Sequence, residues 1–197
     1  MPVASGPARG ILALVSDGDA KPQAYSQVTD PGRYAVLHEA AERLLDELTS
    51  RYTVERRETA EPLGATGERV RTVRLIPRTP AAAPLAVAFT DFPGVVLRLG
   101  RWYSESLPGC GCDACDERPQ DLVDEMRLQI GALVEGGLWE RVRRGMTGSW
   151  SETRLVGEGF DQGYETPLDP REARAARRDG FAAPVQWAPW PKRSSAA

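Results

Sequence analysis

The 197-residue chain has no asparagine, two lysines, one histidine and three cysteines. It also lacks any apolar run near the roughly 20 residues that a membrane-spanning helix needs, so no membrane association is expected. The formal net charge is −3, which argues against a nucleic-acid-binding protein that depends on bulk positive charge. With a single histidine, a Ser-His-Asp or Cys-His-Asn catalytic arrangement is not expected.

The common nucleotide-binding motifs are also missing, since the chain has neither a Walker-type loop nor a G-x-G-x-x-G sequence. The sequence therefore favours a protein that is not an enzyme. The apolar stretch at residues 11–15 is shorter than the core of a signal peptide, which has about 7–15 residues. The expected location is the cytoplasm, where cysteines stay reduced or bind metal.

The composition that remains is that of an ordinary globular protein, with 41% hydrophobic and 27% charged residues. Residues 1–24 are rich in Ala, Gly, Pro and Ser and predict a flexible leader. Residues 25–160 are expected to form a single α+β domain. Residues 161–197 are expected to be a C-terminal extension with a short helix and an end rich in Trp and Pro.

Helical periodicity predicts two long helices. The first starts near Asp30, a residue suited to the N-cap, and runs to about Arg51. The second starts within residues 116–119 and ends at Gly136. The apolar faces expected to be buried contain Leu37, Leu44, Leu48, Met126, Ile130 and Leu133.

Alternating apolar and polar residues predict strands, and residues 59–68 are expected to form a loop between the first two of them. Short polar connections favour antiparallel pairing. The predicted fold is α+β in the order α-ββββ-α-ββ, with an antiparallel sheet of four to six strands and both long helices packed on one face. The expected strands are residues 52–57, 69–76, 85–89, 95–102, 138–144 and 150–156.

The densest chemical feature is the cysteine cluster Cys110, Cys112 and Cys115, placed between the fourth predicted strand and the second helix. Three thiolates at this spacing can converge on one Zn²⁺ ion, which prefers about four ligands in a tetrahedron. The helix that follows would direct the positive end of its dipole at the loop and favour thiolates. We expect the sulfurs to lie within about 4 Å of one another, the edge of a tetrahedron with Zn–S bonds of about 2.3 Å.

The motif C-x-C-x-x-C supplies only three ligands, so the fourth stays open between Asp113, Asp116, a water molecule and His38. His38 lies at the edge of the apolar face of the first helix, and the alternative for it is a boundary histidine with one hydrogen bond. The cysteines also have alternatives, as reactive thiols or as small buried side chains. A structural metal site predicts a closed set of four ligands, whereas a redox protein predicts an exposed cysteine with a lowered pKa.

Two features near the carboxyl end have a functional and a structural interpretation. The arginine-rich helix expected at residues 169–178 could contact phosphate or an acidic partner, but interspersed acidic residues favour a solvated face. Trp187 and Trp190 could dock on a partner or on the protein itself. Docking on the protein itself is expected, because exposed tryptophans are unfavourable.

Several motifs occur together along the chain, and the run from Cys110 to Glu117, Cys-Gly-Cys-Asp-Ala-Cys-Asp-Glu, is the most distinctive. The other motifs are Tyr25-Ser26-x-Val28-Thr29-x-Pro31, Leu37-His38, Phe89-x-Asp91-x-Pro93-Gly94, Gly100-Arg101-Trp102 and Trp187-Ala-Pro-Trp190-Pro. In these motifs the chain resembles a family of uncharacterised actinobacterial proteins, a domain of unknown function, over roughly residues 25–193. The resemblance implies an actinobacterial, cytoplasmic protein and assigns no catalytic residue.

Two functions are therefore predicted. The first is a non-enzymatic binding or adaptor module whose cysteine loop holds one structural Zn²⁺ ion. The alternative is a thiol-dependent redox or metal-handling protein that uses the same cysteines. The expected partner is another protein, whose identity the sequence leaves open.

Overall fold

The computed structural model describes residues 27–64 and 67–194. The predicted leader, residues 1–24, lies outside these described residues. Within them the chain forms three α-helices and two antiparallel sheets of five and four strands. The α+β class is therefore confirmed, and none of these helices is long and apolar enough to cross a membrane.

The elements follow in chain order after a short 3-10 helix at Pro31–Ala35. They are α1 (Val36–Arg51), β1 (Val54–Leu63), β2 (Glu68–Pro77), β3 (Leu85–Phe89), β4 (Val95–Leu99), β5 (Tyr103–Leu107), α2 (Pro119–Val134), β6 (Leu138–Gly145), β7 (Gly148–Gly157), β8 (Phe160–Leu168), α3 (Pro170–Arg178) and β9 (Val185–Gln186).

The first sheet has the order β1-β2-β3-β4-β5, so each strand pairs with the next one along the chain. The loop predicted at residues 59–68 is wrong, because β1 continues to Leu63, which pairs with Glu68. Pro62 lacks an N–H group, and an edge strand such as β1 accommodates it since one side of that strand has no partner in the sheet. Residues 59–63 of β1 are mostly exposed, so this part of the strand pairs with β2 through backbone hydrogen bonds and not through a buried side-chain face.

The single strand predicted at residues 95–102 is two strands joined by a tight turn. Gly100 has a φ of +64°, a left-handed conformation that favours glycine, and there the chain reverses from β4 into β5. The cysteine loop therefore follows the fifth strand and not the fourth. Its position immediately before the second long helix agrees with the prediction.

The second sheet has the order β8-β7-β6-β9. The hairpin predicted at residues 138–156 exists as β6 and β7, but it belongs to this separate sheet. Strand β8, most of which falls within the expected C-terminal extension, pairs with β7 along its whole length. The strand β9 closes the other edge by pairing with β6.

The two long helices share one core with both sheets. The predicted apolar faces are buried except at Leu44, which is only partly buried, while its neighbour Leu45 is fully buried. Helix α1 contacts β1 and β4, whereas α2 contacts α1 and β7. Packing of both helices on one face of a single sheet is therefore not confirmed.

The C-terminal segment docks on the protein itself, as expected. Trp190 is 3% exposed, and its indole Nε1 donates a hydrogen bond to the carbonyl of Ala83 at 2.8 Å. The indole Nε1 of Trp187 donates to a carboxylate oxygen of Glu140, also at 2.8 Å. The segment thereby links β6 to the chain that leads into β3.

Candidate metal centre

The cysteine loop connects β5 to α2 and brings its three sulfurs together. Within the described residues, the group of potential metal ligands that converges is Cys110, Cys112 and Cys115, whose Sγ atoms all lie within 4.8 Å of one another. The Sγ atoms of Cys112 and Cys115 are 3.3 Å apart, inside the expected distance of about 4 Å. For all three sulfurs together the limit is 4.8 Å, so the expected spacing is not confirmed for Cys110. Cys112 is buried, whereas Cys110 and Cys115 are exposed. The closed set of four ligands expected of a structural metal site is therefore not found among the described residues, which bring three ligands together.

The carboxylate of Glu117 organises the backbone of this loop. It accepts hydrogen bonds from the N–H groups of Gly109 at 2.9 Å, Cys110 at 3.1 Å and Gly111 at 2.8 Å. Three consecutive N–H groups that point at one anion form a concave anion-binding backbone. The loop therefore acquires its curvature from a side chain of the protein, before any metal ion is considered.

An aromatic contact fixes the other side of the loop. Gly111 has a φ of +74°, and a Cβ atom there would lie 2.7 Å from Cζ of Phe92, so this position requires glycine. The Phe92 ring in turn packs against Tyr34, with ring centroids 5.7 Å apart. The Tyr34 hydroxyl donates to the carbonyl of Glu117 at 3.3 Å, which ties the end of the loop to the first helical segment.

Two acidic residues of the loop, both candidates for the fourth ligand, lie outside the sulfur cluster. Oδ1 of Asp113 accepts hydrogen bonds from the backbone N–H of Thr29 at 3.0 Å and from its hydroxyl at 3.2 Å. The N–H of Asp113 donates to the carbonyl of Gln27 at 2.9 Å. The side chain of Asp116 is 81% exposed and lies 3.9 Å from the guanidinium of Arg33.

The remaining candidate ligand, His38, is hydrogen-bonded elsewhere. Its Nε2 lies 2.8 Å from the carbonyl oxygen of Gly94, and because that oxygen only accepts, Nε2 carries the proton. The ring meets Phe89 edge-on, with centroids 5.2 Å apart. The structure therefore places His38 where a hydrogen-bonded boundary histidine would lie, and not among the converging sulfurs.

Because the thiols of Cys112 and Cys115 lie close together, their pKa values shift in opposite directions. Hydrogen bonds from Cys110 and Cys115 lower the pKa of Cys112, because they stabilise its thiolate. The hydrogen bond with Cys112 is the main cause that raises the pKa of Cys115 to about 12. One thiolate is thus favoured, while a second is opposed by the negative charge of the first, and a cation would relieve that repulsion.

The role of Glu117 could not be assigned from the sequence alone. The signal was present, as this glutamate closes the distinctive cysteine run, but a carboxylate that follows three cysteines also suggests a ligand. Burial by itself would raise the pKa of Glu117, yet the N–H groups of Gly111, Gly109 and Cys110 hold it below its ordinary value. The carboxylate is therefore ionised and committed to the backbone.

A second carboxylate that sequence analysis missed lies far from the cysteines. Glu140 is fully buried and accepts hydrogen bonds from the N–H groups of Arg101 and Trp102 and from the indole of Trp187. Burial raises its pKa, and these donors oppose that effect. Gly100 leaves room for the carboxylate, since a Cβ atom there would lie 2.6 Å from Oε2. Glu140 thereby joins the β4–β5 turn to the second sheet and the C-terminal segment.

With this geometry established, comparison with known proteins identifies a family. A family model of unknown function, DUF6226, covers residues 13–194. The chain belongs to this family. No curated protein and no solved structure matches it. The resemblance to a family of unknown function is confirmed, whereas actinobacterial origin stays a prediction.

Proposed function

We propose that this domain is a non-enzymatic metal-binding module in which Cys110, Cys112 and Cys115 hold one Zn²⁺ ion. The observation that carries the proposal is the convergence of three sulfurs within 4.8 Å. The loop that presents them is fixed by Glu117 and Phe92, so the ligands are arranged without the ion. A cytoplasmic location fits this proposal, since a reducing compartment keeps the thiols free to bind metal.

The burial of Cys112 supports metal binding over redox chemistry. A redox protein is expected to expose a cysteine whose pKa is lowered. Here Cys112 is 3% exposed, and the thiols titrate together, so that the first thiolate is favoured and the second is opposed. Bound Zn²⁺ would remove that opposition, because the ion stabilises all three groups as thiolates.

The position of the loop defines what a bound ion would do. The loop lies between β5 and α2, and Asp113 fastens it to residues 27–29. An ion held by the three sulfurs would therefore stabilise the junction of β5, α2 and residues 27–29. Such a stabilised surface loop suits an adaptor that presents a fixed surface to another protein.

One observation favours the alternative, a thiol-dependent redox protein. The Sγ atoms of Cys112 and Cys115 are 3.3 Å apart, and a modest approach would bring them to the disulfide bond length of about 2.05 Å. A free-thiol count distinguishes the two functions. Three thiols that become reactive only after removal of metal fit the metal module, whereas one thiol in the protein isolated without reductant fits the redox alternative.

The direct test is the metal content of the full chain, purified with a thiol reductant and without chelator. We expect one zinc per chain, and we expect Cys112→Ser to reduce that content strongly. Ala114→Ser is the matched control, because it adds the same hydroxyl between the cysteines without removing a thiol. Equal zinc content in all three proteins, or none in any of them, would contradict the proposal.

A further inference from the structure

The supply of ligands in this chain limits how the metal ion can be coordinated. The whole sequence contains three cysteines and one histidine, so His38 is the only other side chain with a ligand nitrogen or sulfur of the kind zinc sites use. His38 donates its Nε2 proton to Gly94 and lines a separate groove of about 500 Å³ with Arg71 and Phe89. A fourth imidazole or thiolate ligand therefore has to come from outside these 197 residues.

The carboxylates of the loop have other partners. Glu117 uses both oxygens on the backbone N–H groups of the loop. Asp113 places Oδ1 on Thr29, and Asp116 extends into solvent beside Arg33. None of the three joins the sulfur group within 4.8 Å.

The charge around the cluster selects the kind of donor that fits. Three thiolates and one Zn²⁺ carry a net charge of −1, and the loop adds Asp113, Asp116 and Glu117, against the guanidinium of Arg33. A fourth thiolate would increase the negative charge, whereas a neutral imidazole would not. Cys110 and Cys115 are exposed, so an external donor can reach the ion.

An aromatic surface lies beside the cysteine loop. Phe92 packs on Gly111 in the middle of the cysteine motif and is still 36% exposed. A planar ring that approached the ion could pack against it, which typically contributes about 0.5–1.5 kcal/mol for an aromatic pair.

We infer that the fourth position of the bound metal ion takes a neutral imidazole, supplied by a histidine on a partner protein that docks over the cysteine loop beside Phe92. The inference rests on the proposed function and adds the chemistry of the partner. The domain alone then holds the ion through three sulfurs with one exchangeable position, and the partner's histidine completes the tetrahedron.

Cobalt substitution tests the inference on the full chain, with imidazole as the probe. Co²⁺ reports its coordination through its visible d–d absorption and its thiolate charge-transfer band. We expect imidazole to change the d–d spectrum saturably, at lower concentrations than 2-mercaptoethanol does. We expect Phe92→Leu, which keeps an apolar side chain against Gly111 and Tyr34 but removes the aromatic ring, to raise the half-saturating imidazole concentration about twofold to tenfold, with an unchanged cobalt spectrum before imidazole is added.

Asp113→Asn and Asp116→Asn complete the test. Both variants should show the wild-type cobalt spectrum and the same response to imidazole. A spectrum altered by either variant before imidazole is added would mean that this carboxylate fills the position, and would overturn the inference. A cobalt-loaded chain that ignores imidazole, or prefers the thiol, would also overturn it and leave the proposed function standing. A chain that takes up no cobalt would refute both.

Discussion

Replacement of Glu117 by Gln should weaken metal binding although Glu117 is not a ligand. The carboxylate holds the N–H groups of Gly109, Cys110 and Gly111, and the cysteines are arranged by that backbone. Glutamine keeps one acceptor oxygen, but its amino group cannot accept the remaining N–H bonds. The loop of the metal-free variant would therefore sample other conformations, and metal binding would have to restore the ordered one.

The magnitude follows from the hydrogen bonds that are lost. A hydrogen bond to a charged group contributes about 1.5–3 kcal/mol. The loop is partly exposed and glutamine retains one acceptor, so we take the loss as equivalent to about one such bond. The expected loss of about 1.5–3 kcal/mol corresponds to affinity weakened about 10- to 150-fold.

The assay is competition for Zn²⁺ with a chromophoric chelator, which gives affinity and stoichiometry separately. The stoichiometry should stay at one ion per chain in Glu117→Gln, since the three sulfurs are still present. Asp116→Asn is the matched control because it removes the same charge one residue away, and asparagine tolerates the left-handed φ of +44° at this position.

Equal weakening in the two variants would refute the reasoning, because the effect would then come from charge and not from loop geometry. A metal-free measurement gives an independent check. Amide hydrogen exchange at residues 109–111 should be faster in Glu117→Gln than in the wild type, and unchanged exchange would count against the role assigned to Glu117.

Three further predictions concern the fold and its dependence on pH. Glu140→Ala leaves three partly buried donors without a partner, at about 1–3 kcal/mol each, and should lower the free energy of unfolding by about 3 kcal/mol or more in urea denaturation. A loss below about 1 kcal/mol would contradict the role of this carboxylate. Leu45→Ala should lower the free energy of unfolding by about 2–5 kcal/mol in the same assay, and by clearly more than Leu44→Ala, which truncates a partly buried side chain. The reverse order would show that the buried face of α1 is assigned to the wrong residues. The pKa of Glu117 is lowered in the folded state. Its stabilising contribution is therefore present above its unfolded pKa of about 4.3 and is lost as the pH falls through the folded value. Between about pH 5 and pH 3, the free energy of unfolding of metal-free Glu117→Gln should fall less than that of the wild type.

The parts of the fold that sequence predicted are those with a buried face. Helix α1 ends at Arg51 as expected, β3 has the predicted bounds, and α2 was located by its apolar stripe. The parts that sequence analysis missed lie at the edges of the two sheets. Strand β8 is exposed along most of its length and pairs through its backbone, so its residues show no alternation of polar and apolar side chains.

The turn at Gly100 was missed for a different reason. Residues on both sides of it belong to strands, and a single left-handed glycine between them is compatible with one continuous strand or with a hairpin. The choice depends on Glu140, which lies 40 residues further along and binds the N–H groups of the turn. Such a long-range contact has no local signature.

The convergence of the three cysteines could be predicted from the sequence, but the contacts that support their loop could not. Three cysteines within six residues can converge because the chain between them is short. One carboxylate binds the backbone of the loop, and the other two point away from the sulfurs. This difference depends on contacts with Phe92 and with residues 27–29, which exist only in the folded chain. The separation of Glu117 from Asp113 and Asp116 is therefore a result of tertiary structure.

The measurement that tests the central claim most directly is elemental analysis of the purified full chain, combined with a count of reactive thiols before and after chelation. The account predicts one zinc per chain, few reactive thiols before chelation, three after it, and a lower melting temperature for the metal-free protein. A protein that carries no metal, shows three reactive thiols from the start and loses no stability to a chelator would contradict it.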